Sequence, residues 1–187
     1  MSSMQSLALR HAVHFGHLEI VKALLAADTC TWDDKNEALY TAVLLGHQNI
    51  AIILLASGAS PCGYALHTAA AKGWTNLLRI LLDAGVDLHY CNDLALSCAV
   101  SHGHLKIVEM LLANGADFRA TDHIAIRQAV NNNCLEITEL LASCYTEAGL
   151  KDFQETLQSP LLAEVIARHM RRGSRTKVAL REPRPDI

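Results

Sequence analysis

The segment GHLEIVKALLA at residues 16–26 returns as GHQNIAIILLA at 46–56, GWTNLLRILLD at 73–83 and GHLKIVEMLLA at 103–113. A segment written four times at near-constant spacing restricts the chain to folds in which one small unit stacks on copies of itself. The turn glycine falls at 16, 46, 73 and 103, with Asn133 in the fifth place, so the intervals are 30, 27, 30 and 30. Eight residues ahead of each stand Ala8, Ala38, Ala65, Ala95 and Ala125. Eight and nine residues after each come Leu24-Leu25, Leu54-Leu55, Leu81-Leu82, Leu111-Leu112 and Leu141-Ala142. The fifth pair is imperfect, because Leu140-Leu141 arrives one residue early.

Each repeat parses as a short helix, a glycine turn and a second helix. In the fourth, LALSCAVSH has apolar residues at 94, 96, 99 and 100, and LKIVEMLLAN has them at 105, 107, 108, 111 and 112. Both spacings are helical. Asn36, Asn92, Asp93 and Asp122 stand close to the starts of first helices and are expected to accept first-turn amides. Gly58, Gly85 and Gly115 are expected to end the second helices in a left-handed conformation. Aromatic residues make up only 5% of the chain while Ala and Leu dominate, which again favours helix over strand.

YALHTAAAKGW at 64–74 and GHLKIVEMLLANGADF at 103–118 resemble the ankyrin repeat, whose pattern runs T-P-L-H-x-A-A-x-x-G-H, then L-x-x-V-x-x-L-L, then G-A-D. The resemblance covers about residues 5–145 in five repeats, near 5–33, 34–61, 62–90, 91–120 and 121–148. The chain departs from the pattern twice. Thr-Pro is missing from every repeat, and the repeat is 30 or 27 residues long where about 33 is usual, so the finger loops are short. Short-finger units of this kind resemble arrays common in giant viruses and amoeba-associated bacteria. The fold implied is all-α, an ankyrin-repeat solenoid of stacked helix-turn-helix units.

The array is expected to span 1–148. Residues 149–172 follow as a C-terminal capping region built on the amphipathic SPLLAEVIARHMRR, 159–172. Residues 173–187 have no periodicity and read as a basic disordered tail, in which RRGS at 171–174 fits a basic-directed kinase site on Ser174. Residues 1–164 carry nine Lys/Arg and seventeen Asp/Glu, a balance of −8, against seven and two, or +5, in 165–187.

No apolar run reaches the length of a membrane span, and the first residues lack a secretory pattern. The six cysteines form no CxxC, so they read as free thiols in a reducing compartment, with Cys98 and Cys134 as small buried hydrophobes. The expected location is cytoplasmic or otherwise intracellular, or the host cytosol for an effector.

No phosphate loop, G-x-S-x-G elbow or H-E-x-x-H pair appears. His11, His14 and His17 are spaced i, i+3, i+6, but His17 lies beyond the Gly16 turn, so no metal site assembles. By the resemblance, His17, His47, His104 and His67 hold positions where the imidazole bonds backbone. No cofactor, nucleic-acid partner or catalytic residue is expected, and the chain is not read as an enzyme.

The resemblance places a protein partner along the concave face. The residues carried over to it are His14-Phe15, Leu44-Leu45, Ala71-Lys72, Ser101-His102 and Asn131-Asn132. The early pairs are apolar and the late ones polar, which points to contact at the apolar end. The competing expectation is that these side chains fold against neighbouring loops, with Trp32 (placed in the loop after repeat one) or Tyr64 covering them. Trp74, in the Gly-His position, is expected to wedge between repeats. Leu7, Val13 and Ile20 are assigned to the outer face of repeat one, which either a small cap formed by Met1–Ser6 covers or another chain meets, the second as weak self-association. The function implied is a protein–protein interaction module. The alternative is an adaptor or host-targeting effector whose C-terminal helix, F-box-like or SOCS-box-like, or basic tail recruits other machinery.

Overall fold

A computed structural model describes residues 2–27, 29–146, 149–150 and 159–172. Among them are eleven helices and no strand. Repeat one is α1 (Ser2–His14) and α2 (Leu18–Ala26), and repeat two is α3 (Trp32–Leu45) and α4 (Gln48–Ala56). Repeat three is α5 (Gly63–Lys72) and α6 (Thr75–Asp83), and repeat four is α7 (Leu94–Ser101) and α8 (Leu105–Ala113). Repeat five is α9 (Ala120–Asn131) and α10 (Leu135–Ala142), and α11 (Pro160–Arg172) follows. The chain divides into two compact bodies, Met1–Ala69 with Trp74–Asp87, and Ala70–Gly73 with Leu88–Ile187.

One turn closes every first helix. His47 N–H donates to the Ala42 carbonyl at 2.8 Å across Gly46, whose φ is +84°. The bond recurs as His17 to Ala12, Trp74 to Ala69, His104 to Ala99 and Cys134 to Ala129, all at 2.8–2.9 Å. This reversal satisfies helix-end carbonyls and needs a left-handed residue. Asn133, with φ +55°, supplies it where glycine is absent. Gly58, Gly85 and Gly115 end second helices with positive φ, as expected.

In the first body the core is built from residues such as Leu9, Leu39, Leu54, Leu66 and Leu81. In the second, Leu96, Ile107, Leu111, Ile126 and Leu141 are buried together with Leu162 and Val165 of α11. α11 packs on α10, and the Arg168 guanidinium donates to Glu139 at 3.0 Å.

The helix starts differ from expectation. α3 begins early, at Trp32, which places Asn36 inside the helix and Trp32 outside any loop. Its cap is Thr31. The Thr31 hydroxyl accepts from Asp34 N–H at 3.2 Å, and the Asp34 carboxylate accepts from Thr31 N–H at 3.0 Å. Asn36 instead accepts from Ser60 N–H at 2.7 Å. Asp93 heads α7 but caps nothing with its side chain; it accepts from Asp117 N–H at 3.0 Å. The Asn36 and Asp93 bonds are equivalent, each tying one first helix to the loop 24 residues on. Asp122 falls inside α9, and its side chain lies outside the described residues, as do residues 173–187 with Ser174. Val13 is fully buried, so it belongs to the core and not to the outer face. Cys98 and Cys134 are half-buried rather than buried.

Candidate interaction surface

Each first helix buries two small or branched residues near its end: Ala12-Val13, Ala42-Val43, Ala69-Ala70, Ala99-Val100 and Ala129-Val130. The next two residues advance about 100° each around the helix and therefore turn outward. Those are the residues expected to meet a partner. His14, Phe15, Leu44, Leu45, Lys72, Ser101, His102, Asn131 and Asn132 are all exposed, and Ala71 is half-buried.

In the first body three of the four exposed residues, Phe15, Leu44 and Leu45, are apolar. Phe15 is 64% exposed and Leu44 57%. The phenyl ring of Phe15 meets His14 edge-on at 5.1 Å, and His11 and His17 stand at 6.2 Å. No loop shields this surface by way of Trp32, which is itself 61% exposed. Tyr64 reaches the edge of this surface, packing at 4.7 Å on Tyr40 and edge-on to His67 at 5.1 Å, while Leu44 stays exposed. Tyr40, also exposed, lies one turn before Leu44 on the same face. Sequence reasoning missed it, although the i, i+4 spacing from Leu44 was the signal. An ion pair between Arg10 and Glu37 joins α1 to α3 nearby.

In the second body the exposed residues are polar, and two spend a group locally. His102 Nδ1 donates to the Cys98 carbonyl at 2.9 Å, and Asn132 Nδ2 donates to the Ser101 carbonyl at 3.2 Å.

The carbonyl two residues before the turn glycine is met repeatedly by the next repeat. His47 Nε2 lies 3.4 Å from the His14 carbonyl, and His104 Nε2 lies 3.1 Å from that of Ala71. Asn132 does the same work in repeat five, where Cys134 replaces the histidine. Trp74 instead lays its indole against Gly46, wedged between repeats two and three. His67 has its pKa lowered by burial, opposed by a hydrogen bond to the Gly63 backbone. Burial raises the Tyr145 pKa; its hydroxyl lies 2.8 Å from His123 Nδ1.

An open cleft of about 380 Å³ lies between the turns of repeats one and two, with His47 the titratable residue among its lining. Among the described residues no group of three or more His, Cys, Asp or Glu is placed to hold a metal ion, and no helix is long and apolar enough to cross a membrane.

A family model described as ankyrin repeats (3 copies) matches residues 3–63 and 59–122. A search of curated proteins finds no match.

Proposed function

Because the chain belongs to the ankyrin-repeat family, whose repeats generally serve as protein–protein interaction modules, we propose that it is a non-catalytic binding module. Its partner is a protein that docks on the outward residues at the ends of the first helices. The observation that carries this reading is the exposed apolar set Phe15, Leu44 and Leu45, extended by Tyr40. Exposed apolar side chains gathered on one surface mark contact sites, and aromatic residues are favoured anchors in them. Lys72, Ser101, His102 and Asn131 are the corresponding positions of the second body and supply polar contacts.

The alternative is an adaptor or effector recruiting machinery through its C-terminal helix or basic tail; the tail lies outside the described residues, and the helix lends it less support. Leu162, Val165 and Ile166, the apolar face of α11, are already buried. Recruitment through that helix would need a different surface of it.

A photo-crosslinking residue at position 44 is expected to trap the partner, and one at the exposed Arg79 of α6 is not. Crosslinking from 79 but not 44 refutes the assignment.

A further inference from the structure

The second helix of repeat four ends on Asn114-Gly115, and no other asparagine of the chain is followed by glycine. In the equivalent turns of repeats two and three the residue ahead of glycine is Ser57 or Ala84. Asparagine is a chemically labile residue, and one followed by glycine carries both parts of a reaction with itself. The backbone nitrogen of the glycine attacks the carboxamide carbon of the asparagine and closes a five-membered ring. Glycine has no side chain to hinder that approach. The surroundings are open too: Asn114 is exposed, and nothing lies within 4 Å of where a Cβ on Gly115 would stand.

The folded turn holds these parts out of position. Asn114 has φ −92° and ψ 2°. A ψ near zero eclipses the Gly115 nitrogen with the backbone nitrogen of Asn114 and not with its Cβ, so the ring cannot close. Asn114 Nδ2 donates to the Met110 carbonyl at 2.8 Å, and Gly115 N–H donates to the Leu112 carbonyl at 3.1 Å. Ala116 N–H donates to the Leu111 carbonyl at 3.0 Å, and Leu111, Leu112 and Ala116 are buried. The nucleophile is therefore released only when the last turn of α8 opens.

We infer that Asn114 is a site of spontaneous deamidation, gated by opening of the end of α8. In the first step the Gly115 nitrogen bonds to Cγ of Asn114. The Cγ–Nδ2 bond breaks, and Nδ2 leaves as ammonia with the proton from Gly115. Water then opens the cyclic imide at one of its two carbonyls, giving aspartate or isoaspartate, and nothing is oxidised or reduced. The product weakens the turn that delayed it. A carboxylate cannot donate to the Met110 carbonyl, and its charge falls at the C-terminal end of a helix, where the dipole disfavours it. Isoaspartate also lengthens the main chain by one carbon, just ahead of the Ala116 bond and of the Asp117 amide held by Asp93. Deamidation thus marks a molecule whose fourth repeat has opened and leaves that repeat easier to open again.

Peptide mapping by mass spectrometry tests this on the full chain, held at neutral pH and body temperature either folded or unfolded in urea. In the unfolded chain Asn114 is expected to convert ahead of every other asparagine. In the folded chain it should still convert, at least about tenfold more slowly, the factor that a modest local opening equilibrium imposes. Leu112→Ala, which strips packing from the last turn of α8, should bring the folded rate toward the unfolded one. Asn114→Ser should give no product there and keep the fold, because Ser57 makes the same bond in repeat two, its hydroxyl donating to the Ile53 carbonyl at 2.8 Å. Another asparagine leading in the unfolded chain, equal rates folded and unfolded, or no conversion in the folded parent over the time in which Leu112→Ala converts overturns the inference.

Discussion

The imidazole of His104 lies over Gly73, its Cε1 2.9 Å from where a Cβ would stand. His47 stands over Gly16 in the same way, at 2.8 Å. Glycine at these turns therefore answers to two demands, a left-handed φ and the ring of the next repeat. Gly103 answers to the first alone: its φ is +73° and nothing lies within 4 Å of its Cβ position.

Gly103→Ala is expected to cost about 1–2 kcal/mol, the backbone penalty alone. Gly73→Ala should cost measurably more, since the ring must move and give up its bond to Ala71. Adding His104→Ala should recover the excess, a coupling that a double-mutant cycle in urea measures. Equal costs at 73 and 103, with no coupling, contradict the contact.

His67 ties stability to pH. Its folded pKa lies below the ordinary 6.5, so the unfolded chain binds the proton first as pH falls. This contribution is complete above 6.5 and is lost as pH drops from there toward the folded pKa. Unfolding midpoints at pH 7.5 and about 5.5 (chosen to bracket the histidine range) should differ less in His67→Gln than in the parent. An identical drop in both contradicts the assignment.

The capping box at the start of α3 carries a local share of stability. Thr31→Ala should cost about 1 kcal/mol, and Thr31→Ser far less, because Ser is an equally good cap and keeps the hydroxyl that donates to the Asp34 carboxylate at 2.7 Å. Asp34 has its pKa lowered chiefly by hydrogen bonds from Ser6 and Thr31, so any contribution from it is lost only under acid conditions, below its ordinary 3.8. Chemical denaturation at neutral pH checks the first statement.

Asp93 is 5% exposed, sits at φ +56° and holds the Asp117 amide. Asp93→Ala leaves that amide without its acceptor and puts alanine in a left-handed well, at an expected cost of about 2–3 kcal/mol. Asp93→Asn keeps both the acceptor and the tolerance for positive φ, and should cost little. Thermal unfolding of the two variants separates them.

The repeat made the fold legible. Five turns recur at fixed distance from an Ala and, in the first four, from a Leu pair, and each was found where the period put it. The outward positions were legible for the same reason, since the two residues that follow a buried Ala-Val or Ala-Ala pair face away. Helix starts were not. Asn36 and Asp93 look like caps in sequence, but their bonds run to backbone 24 residues on, and nothing local distinguishes a cap from such a tie. Val13 was misplaced because an apolar residue on a terminal repeat fits both faces until the helix phase is known. Tyr40 was not legible from the turn pattern, because it stands a full helical turn before Leu44, outside the two positions ahead of Gly46.

The most direct measurement compares proteins captured from cell lysate by the parent chain, Leu44→Glu/Leu45→Glu and Ile20→Glu, after equal helical circular dichroism is established for all three. A band held by the parent and Ile20→Glu but lost from the double variant is the expected result. An unchanged set of bands in the double variant contradicts the partner surface on the first body.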